Sequence, residues 1–253
     1  MTAAWREGED LNLDAIAARL ASLEETLIYK LLDRAQFALN RGAYEPGKSQ
    51  FLPPENASLF ELRLLHQEKT DVIFGRYLIP EERPFHTGLP DARRRAPWND
   101  RHLRIADFDT VNVSGLILEA YKSFLPELCS AGDDGHWGSS VEHDVICLQA
   151  LARRVHFGGL YVAESKYREN RDLYSELVRR RDEAGLEKSL TRPEVETRVL
   201  ERVRRKVEAI QSISDPALRI LVGPDRIVGF FQSVIIPLTK ESEVRYLLQR
   251  RTG

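Results

Sequence analysis

The sequence predicts an all-helical fold, a bundle built as a single domain over residues 1–253, on three observations. Apolar residues recur at helical spacing through long segments, and no stretch of useful length alternates apolar with polar residues as a half-buried strand would. An apolar content of 42% over 253 residues is enough for one large core.

The first helix is predicted over about 11–41. Leu13, Ile16, Leu20, Leu23, Leu27 and Leu31 fall in one stripe, and Gly42 follows as a stop. Arg34 projects into that stripe, where a charge calls for a carboxylate partner. Pro46, Gly47, Pro53 and Pro54 mark 43–56 as loop, and Ser58 is placed to cap a second helix reaching about Tyr77. Residues 79–110 carry Pro80, Pro84, Pro90 and Pro97 with no sustained period, an irregular excursion that reads either as a lid-like or regulatory element or as a disordered crossing.

Helical spacing returns from Val111 to Cys129, pauses at AGDDGHWGSS and resumes at Val141, opening a segment expected to run to about 167. Within it Ile146, Leu148, Leu151 and Val155 continue the helix, Gly158 and Gly159 are expected to break it, and Leu160 to Lys166 restart it. Asp172 to Ala184 reads as one short amphipathic helix. In LTRPEVETRVLERVRRKVEAI, a helix over about 191–212 is expected with Thr191 as its cap, Pro193 in the first turn and Glu194 completing a capping box. The last helix is predicted over about 224–251, bent at Pro237.

Composition excludes several function classes. The net charge is −2 with both signs interspersed, which gives no basis for a nucleic-acid or membrane surface. No run of about 18 apolar residues is present. Cys129 and Cys147 form no CxxC pair, and MTAAWREGED is acidic without an apolar stretch, so a cytoplasmic protein with reduced thiols is expected. His136 and His143 lie seven apart with no HExxH, so no metal is predicted, and the absence of GxSxG, GxxxxGK[ST] and GxGxxG leaves no expected cofactor.

What remains are polar residues at turns of otherwise apolar helices: Arg154, Lys166, Glu196, Thr239 and Glu243, with Arg192 on the side of Glu196. Arg154 and Lys166 read either as an anion site or as two surface charges on a helical hairpin. Thr239 and Glu243, four apart, share one helical face. Cations, carboxyls and a hydroxyl meeting inside a bundle suit a small polyanion that needs positioning more than a nucleophile.

At these residues the sequence resembles the all-helical chorismate mutases of the fungal and plant type. LNLDAIAARLASLEETLIYKLLDRAQFA is similar to their long first helix; PEERPF, DDGHWGSS, CLQALARRVHFGGLYVAESKY, LTRPEVETRVLERV and IPLTKESEVRYLL follow in family order. The resemblance implies rearrangement of chorismate to prephenate without cofactor or covalent intermediate, in a homodimer whose residues 57–140 form a regulatory-like segment. It implies that Arg154 clamps a carboxylate, and that Lys166 holds a carboxylate and donates toward the ether oxygen. Glu196 would take the ring hydroxyl and Thr239 help fix a carboxylate. Glu243 would donate to the ether oxygen, which an ionised carboxylate cannot do, so it must be protonated.

The resemblance fails in two places. Where the family has an Arg after the Ile of LNLDAI, this chain has Ala17, and Arg19 lies about 200° round the helix. Losing a charge-assisted contact would cost about 1.5–3 kcal/mol, and Arg192 could restore the charge or be a solvated Arg at a helix start. In the family's tyrosine and tryptophan effector site, Arg76, Gly138 and Ser139 remain, but Gly75, Glu142 and Gly223 replace an Arg, a hydroxyl and a Thr, so feedback is expected to be weak or absent. Two rivals follow: a pyruvate-eliminating lyase acting on chorismate or isochorismate, and a weakened homologue that only binds a ligand or partner.

Overall fold

A computed structural model describes residues 11–49, 56–93 and 102–251. The N-terminal decapeptide, Pro53, Pro54 and Pro97 lie outside the described residues. All regular structure among those described is helical: α1 (Leu13–Arg34), α2 (Leu59–Ile73), α3 (Ser114–Leu128), α4 (Trp137–Phe157), α5 (Ala163–Glu169), α6 (Arg171–Arg180), α7 (Glu183–Leu190), α8 (Pro193–Gln211), α9 (Pro224–Phe230) and α10 (Ile236–Gln249), with short 3-10 turns between. Two apolar clusters hold it together. One packs α1, α3 and α4 with α8 and α9 around Leu27, Leu31, Tyr121 and Leu148. The other gathers Ile16, Phe157, Leu160, Tyr161, Leu186 and Tyr246 at the opposite end of α1.

α1 stops at Arg34, short of the expected 41, and Gly42 is not the stop. Arg34 is fully buried, binds Asp144 of α4 at 2.6 Å, and draws in the carbonyls of Phe37 and Ala38 at 3.1 and 3.2 Å. The chain after the helix therefore folds back onto the side chain that closes it. The pairing expected for Arg34 is present.

α2 begins as expected at Ser58, whose hydroxyl accepts from Glu61 N–H while Glu61 accepts from Ser58 N–H, a complete capping box. It ends at Ile73 rather than Tyr77, because Gly75 turns the chain at φ 82°. The excursion after it is anchored where it is described. Buried Glu68 of α2 accepts from the backbone N–H groups of Phe85 and His86 at 2.6 and 3.0 Å.

α4 starts at Trp137, four residues before the expected Val141, since Asp133 and Asp134 accept from Gly135 N–H and His136 N–H and set the first turn. Gly158 and Gly159 do not break it. The backbone widens over Gly158–Val162 into a single π turn and continues as α5. The expected helix 172–184 is two helices, split at Arg181 in the left-handed region (φ 51°), with Asp182 capping the second.

Thr191 does not cap α8 either. Its hydroxyl donates to Glu187 O of α7 at 2.8 Å, so the cap position falls to Arg192 without a side-chain bond, and Pro193 opens the helix as predicted. α9 and α10 run on through a second π turn, Phe231–Ile235, with Pro237 in the first turn of α10. Pro237 has no N–H for the carbonyl one turn back, and the widened turn lies just before it.

Candidate active site

Three helical segments converge: the end of α4 with its π turn and α5, the first half of α10, and the start of α8, with α1 laid across them. Arg154, Lys166, Thr239 and Glu243 are all buried. A regular helix carries the Arg, the π turn brings the Lys round, and successive turns of α10 carry Thr239 and Glu243.

Lys166 Nζ donates to Leu190 O at 2.7 Å and to Glu243 Oε2 at 3.2 Å, which leaves one of its three N–H groups for a ligand. Arg154 Nη2 donates to Glu24 Oε1 at 3.2 Å, while its Nε and Nη1 are buried with no hydrogen-bond partner among the described residues. Thr239 and Arg154 meet over Gly158, where an added Cβ would lie 2.7 Å from Thr239 Cγ2 and 3.2 Å from Arg154 Nη1. Thr239 Oγ1 donates to Ile235 O at 2.7 Å, so its oxygen is free to accept and its proton must turn to serve a carboxylate.

Glu196 sits at the rim, half-buried, 2.8 Å from Lys240 Nζ. Burial pushes the Glu243 carboxyl up from its ordinary range, with Lys166, Lys240 and Arg154 pulling the other way. The direction is up because the group is enclosed and only Lys166 bonds it. Burial likewise pulls Arg154 below its ordinary range, with Glu24 opposing it.

Arg192 is exposed at the head of α8, and both it and Glu243 act on the Tyr174 hydroxyl. Ala17 is exposed on α1, seven residues before Glu24 and three before Leu20, whose Cδ2 lies 3.5 Å from an added Gly158 Cβ. Positions 17, 20 and 24 thus share the face of α1 turned to Arg154. Arg76 lies elsewhere, bonded to Gln149 and Glu82 at 3.0 Å, and Gly138 and Ser139 fall in the first turn of α4. His136 pairs with Asp134 at 3.4 Å and His143 Nδ1 lies 2.8 Å from Ser139 O, ordinary polar roles as expected.

The sequence reading missed Glu24, Arg202 and Lys240. Glu24 is fully buried and takes two bonds of 2.9 Å from Arg202 besides that from Arg154. The signal was present: Glu24 stands four residues after Leu20 and three before Leu27, on the apolar stripe itself.

No family model matches the sequence. It is 36% identical over 257 residues to the chorismate mutase of Trichoderma parareesei, covering 95% of this chain and 93% of that one. The fold is similar to the chorismate mutase of Candida albicans solved in complex with L-Trp (TM-score 0.86, 33% identity, 95% of this chain and 92% of that one). It also resembles AtCM1 solved with tyrosine bound in an allosteric site (TM-score 0.86, 31% identity, 96% and 98%). Near-complete coverage on both sides, carried by the same all-helical architecture, means that the chain belongs to the chorismate mutases of fungi and plants.

Proposed function

We propose that this protein rearranges chorismate to prephenate in aromatic amino-acid biosynthesis. The observation that carries the reading is Arg154, whose Nε and Nη1 are buried donors with nothing to bond among the described residues. Such donors cost about 1–3 kcal/mol each if left unmet, and a substrate carboxylate meets one of them with a charge-assisted bond. A Claisen step breaks one C–O bond and forms one C–C bond with no proton transferred, so what the residues supply is a compact conformer and charge at the ether oxygen. Arg154 clamps one carboxylate. Lys166 shares its one remaining N–H between a carboxylate and the ether oxygen, Thr239 turns to a carboxylate, and Glu196 takes the ring hydroxyl. Glu243, whose carboxyl burial pushes toward the protonated form, donates to the ether oxygen.

Incubation of purified protein with chorismate from pH 5 to 8 tests this, following chorismate loss, prephenate and pyruvate together. The expected product is prephenate, formed fastest at acid pH. Pyruvate in its place, or intact chorismate with folded protein, overturns the reading.

Feedback is read as weak or absent. Arg76 is already held by Asp71, Glu82 and Gln149, and Glu142 keeps an exposed carboxylate 3.8 Å from Arg63, which repels an amino-acid carboxylate. A change in turnover at micromolar tyrosine or tryptophan would contradict this. The protein is read as a cytosolic homodimer. No helix among the described residues is long and apolar enough to cross a membrane, Cys129 and Cys147 are free and buried, and Phe74, Ile213 and Leu218 are strongly exposed apolar side chains.

A further inference from the structure

Arg154 and Lys166 stand twelve residues apart. In an uninterrupted α-helix twelve residues turn through about 1200°, which would leave the two side chains about 120° out of phase. Lys166 would then point away from the face that Arg154 shares with Glu24. The chain between them is not a plain helix, because Gly158–Val162 forms a π turn. A bond from i to i+5 encloses one residue more than the α-helical bond, so one of the twelve is absorbed. The remaining eleven turn through about 1100°, and the two cations come within about 20° of one another.

We propose that this π turn is the device that sets Arg154 and Lys166 on one face, and that Gly159 is the positioning residue that permits it. A second observation, independent of phase, points to the same place. A Cβ added to Gly159 would overlap Oγ and Cβ of Ser242 and lie 3.1 Å from the Ser242 backbone carbonyl carbon. Ser242 immediately precedes Glu243 and follows Thr239 by three residues. The widened turn therefore presses against the part of α10 that bears those two groups. The Ser242 hydroxyl is buried with no hydrogen-bond partner among the described residues, so the contact is one of shape. Gly158 performs the same service one residue earlier, where an added Cβ would meet Thr239 and Arg154. The extra residue thus both rotates Lys166 toward Glu243 and fixes how closely α10 approaches.

The kinetic readout rests on the chorismate mutase reading, and the wild-type assay tests that reading by itself. Three variants test the proposal. Deleting Gly159 shortens the spacing to that of a plain helix, and the folded variant is expected to keep kcat within about tenfold. Inserting one Ala between Gly159 and Leu160 adds about 100° and is expected to lower kcat at least a hundredfold. Gly159→Ala is expected to lower kcat at least tenfold, with recovery when Ser242→Gly is added. Because Lys166 is the bonded cation that holds the Glu243 carboxyl down, the fall of activity with pH should move to higher pH in Gly159→Ala and return in the double variant. A merely structural role would lower Tm without moving that profile. A folded deletion variant as impaired as the insertion, or Gly159→Ala with unchanged kcat and pH profile, overturns the proposal. Should the deletion not fold, the Gly159 and Ser242 pair decides it. If the wild type proves inactive on chorismate, a crystal structure of the deletion variant decides it, with Lys166 expected on Glu243 across a regular α turn and a Lys166 turned away overturning it.

Discussion

In the proposed reaction Glu243 carries the pH dependence, because there one buried carboxyl has to donate a hydrogen bond. Its raised pKa means that the donating form is present below that pKa and lost as pH climbs through it. An amide donates at any pH, so Glu243→Gln should flatten the alkaline fall in turnover while leaving acid-side activity within about tenfold, read from kcat against pH. Ala17 is the other residue whose effect can be foreseen. It shares a face of α1 with Leu20 and Glu24, so Ala17→Arg brings a cation to the substrate's side. A charge-assisted contact worth about 1.5–3 kcal/mol would raise kcat/KM about ten- to a hundredfold, and steady-state kinetics checks it. Single residues were the part of the site best visible in the sequence. Arg154, Lys166, Thr239 and Glu243 drew notice as polar groups on apolar helical faces, and all four prove buried. Glu24 escaped although it obeys the same rule, standing on the apolar stripe between Leu20 and Leu27.

Elements were legible in kind and misjudged at their ends, where a side chain's bond to nearby backbone decides the last turn. Arg34 closes α1 early, the Asp133 and Asp134 turn opens α4 early, and Thr191 spends its hydroxyl on the helix before it. α3 and α4 are joined by His156, whose Nε2 accepts Val113 N–H at 3.0 Å. Burial, with the charges of Arg83 and Arg245, holds this imidazole neutral down to about pH 3. Its folded pKa lies below the unfolded 6.5, so stability is full above that value and declines as pH falls toward 3, by about 1.4 kcal/mol per unit. His156→Gln can still accept the Val113 bond and does not titrate. It should therefore lessen the loss of stability between pH 6.5 and 4.5 in urea unfolding, and an unchanged slope would refute the assignment.

Across the whole molecule the polar core is as decisive as the apolar one. Arg34, Tyr44 and Tyr121 all bond Asp144, at 2.6, 2.5 and 2.8 Å, joining α1, the loop after it and α3 to α4. Asp144→Ala would leave the Arg34 charge buried and unpaired at a cost of about 3–5 kcal/mol, a fall in Tm on the order of 10 °C by calorimetry. The second cluster is closed in the same manner, with Tyr246 and Arg250 of the chain's end each 2.7 Å from buried Glu164, two residues from Lys166. By itself the sequence determined the helical class and the family, and it singled out Arg154, Lys166, Thr239 and Glu243 as polar groups on apolar helices, because hydrophobic period and residue type are local properties. Only the tertiary structure decided that Arg154 keeps two unmet donors, that Glu24 stands behind it, and that the glycine pair widens a helix instead of ending it. Those outcomes depend on which groups meet across helices distant in sequence, and on one residue of helical phase that no local pattern records.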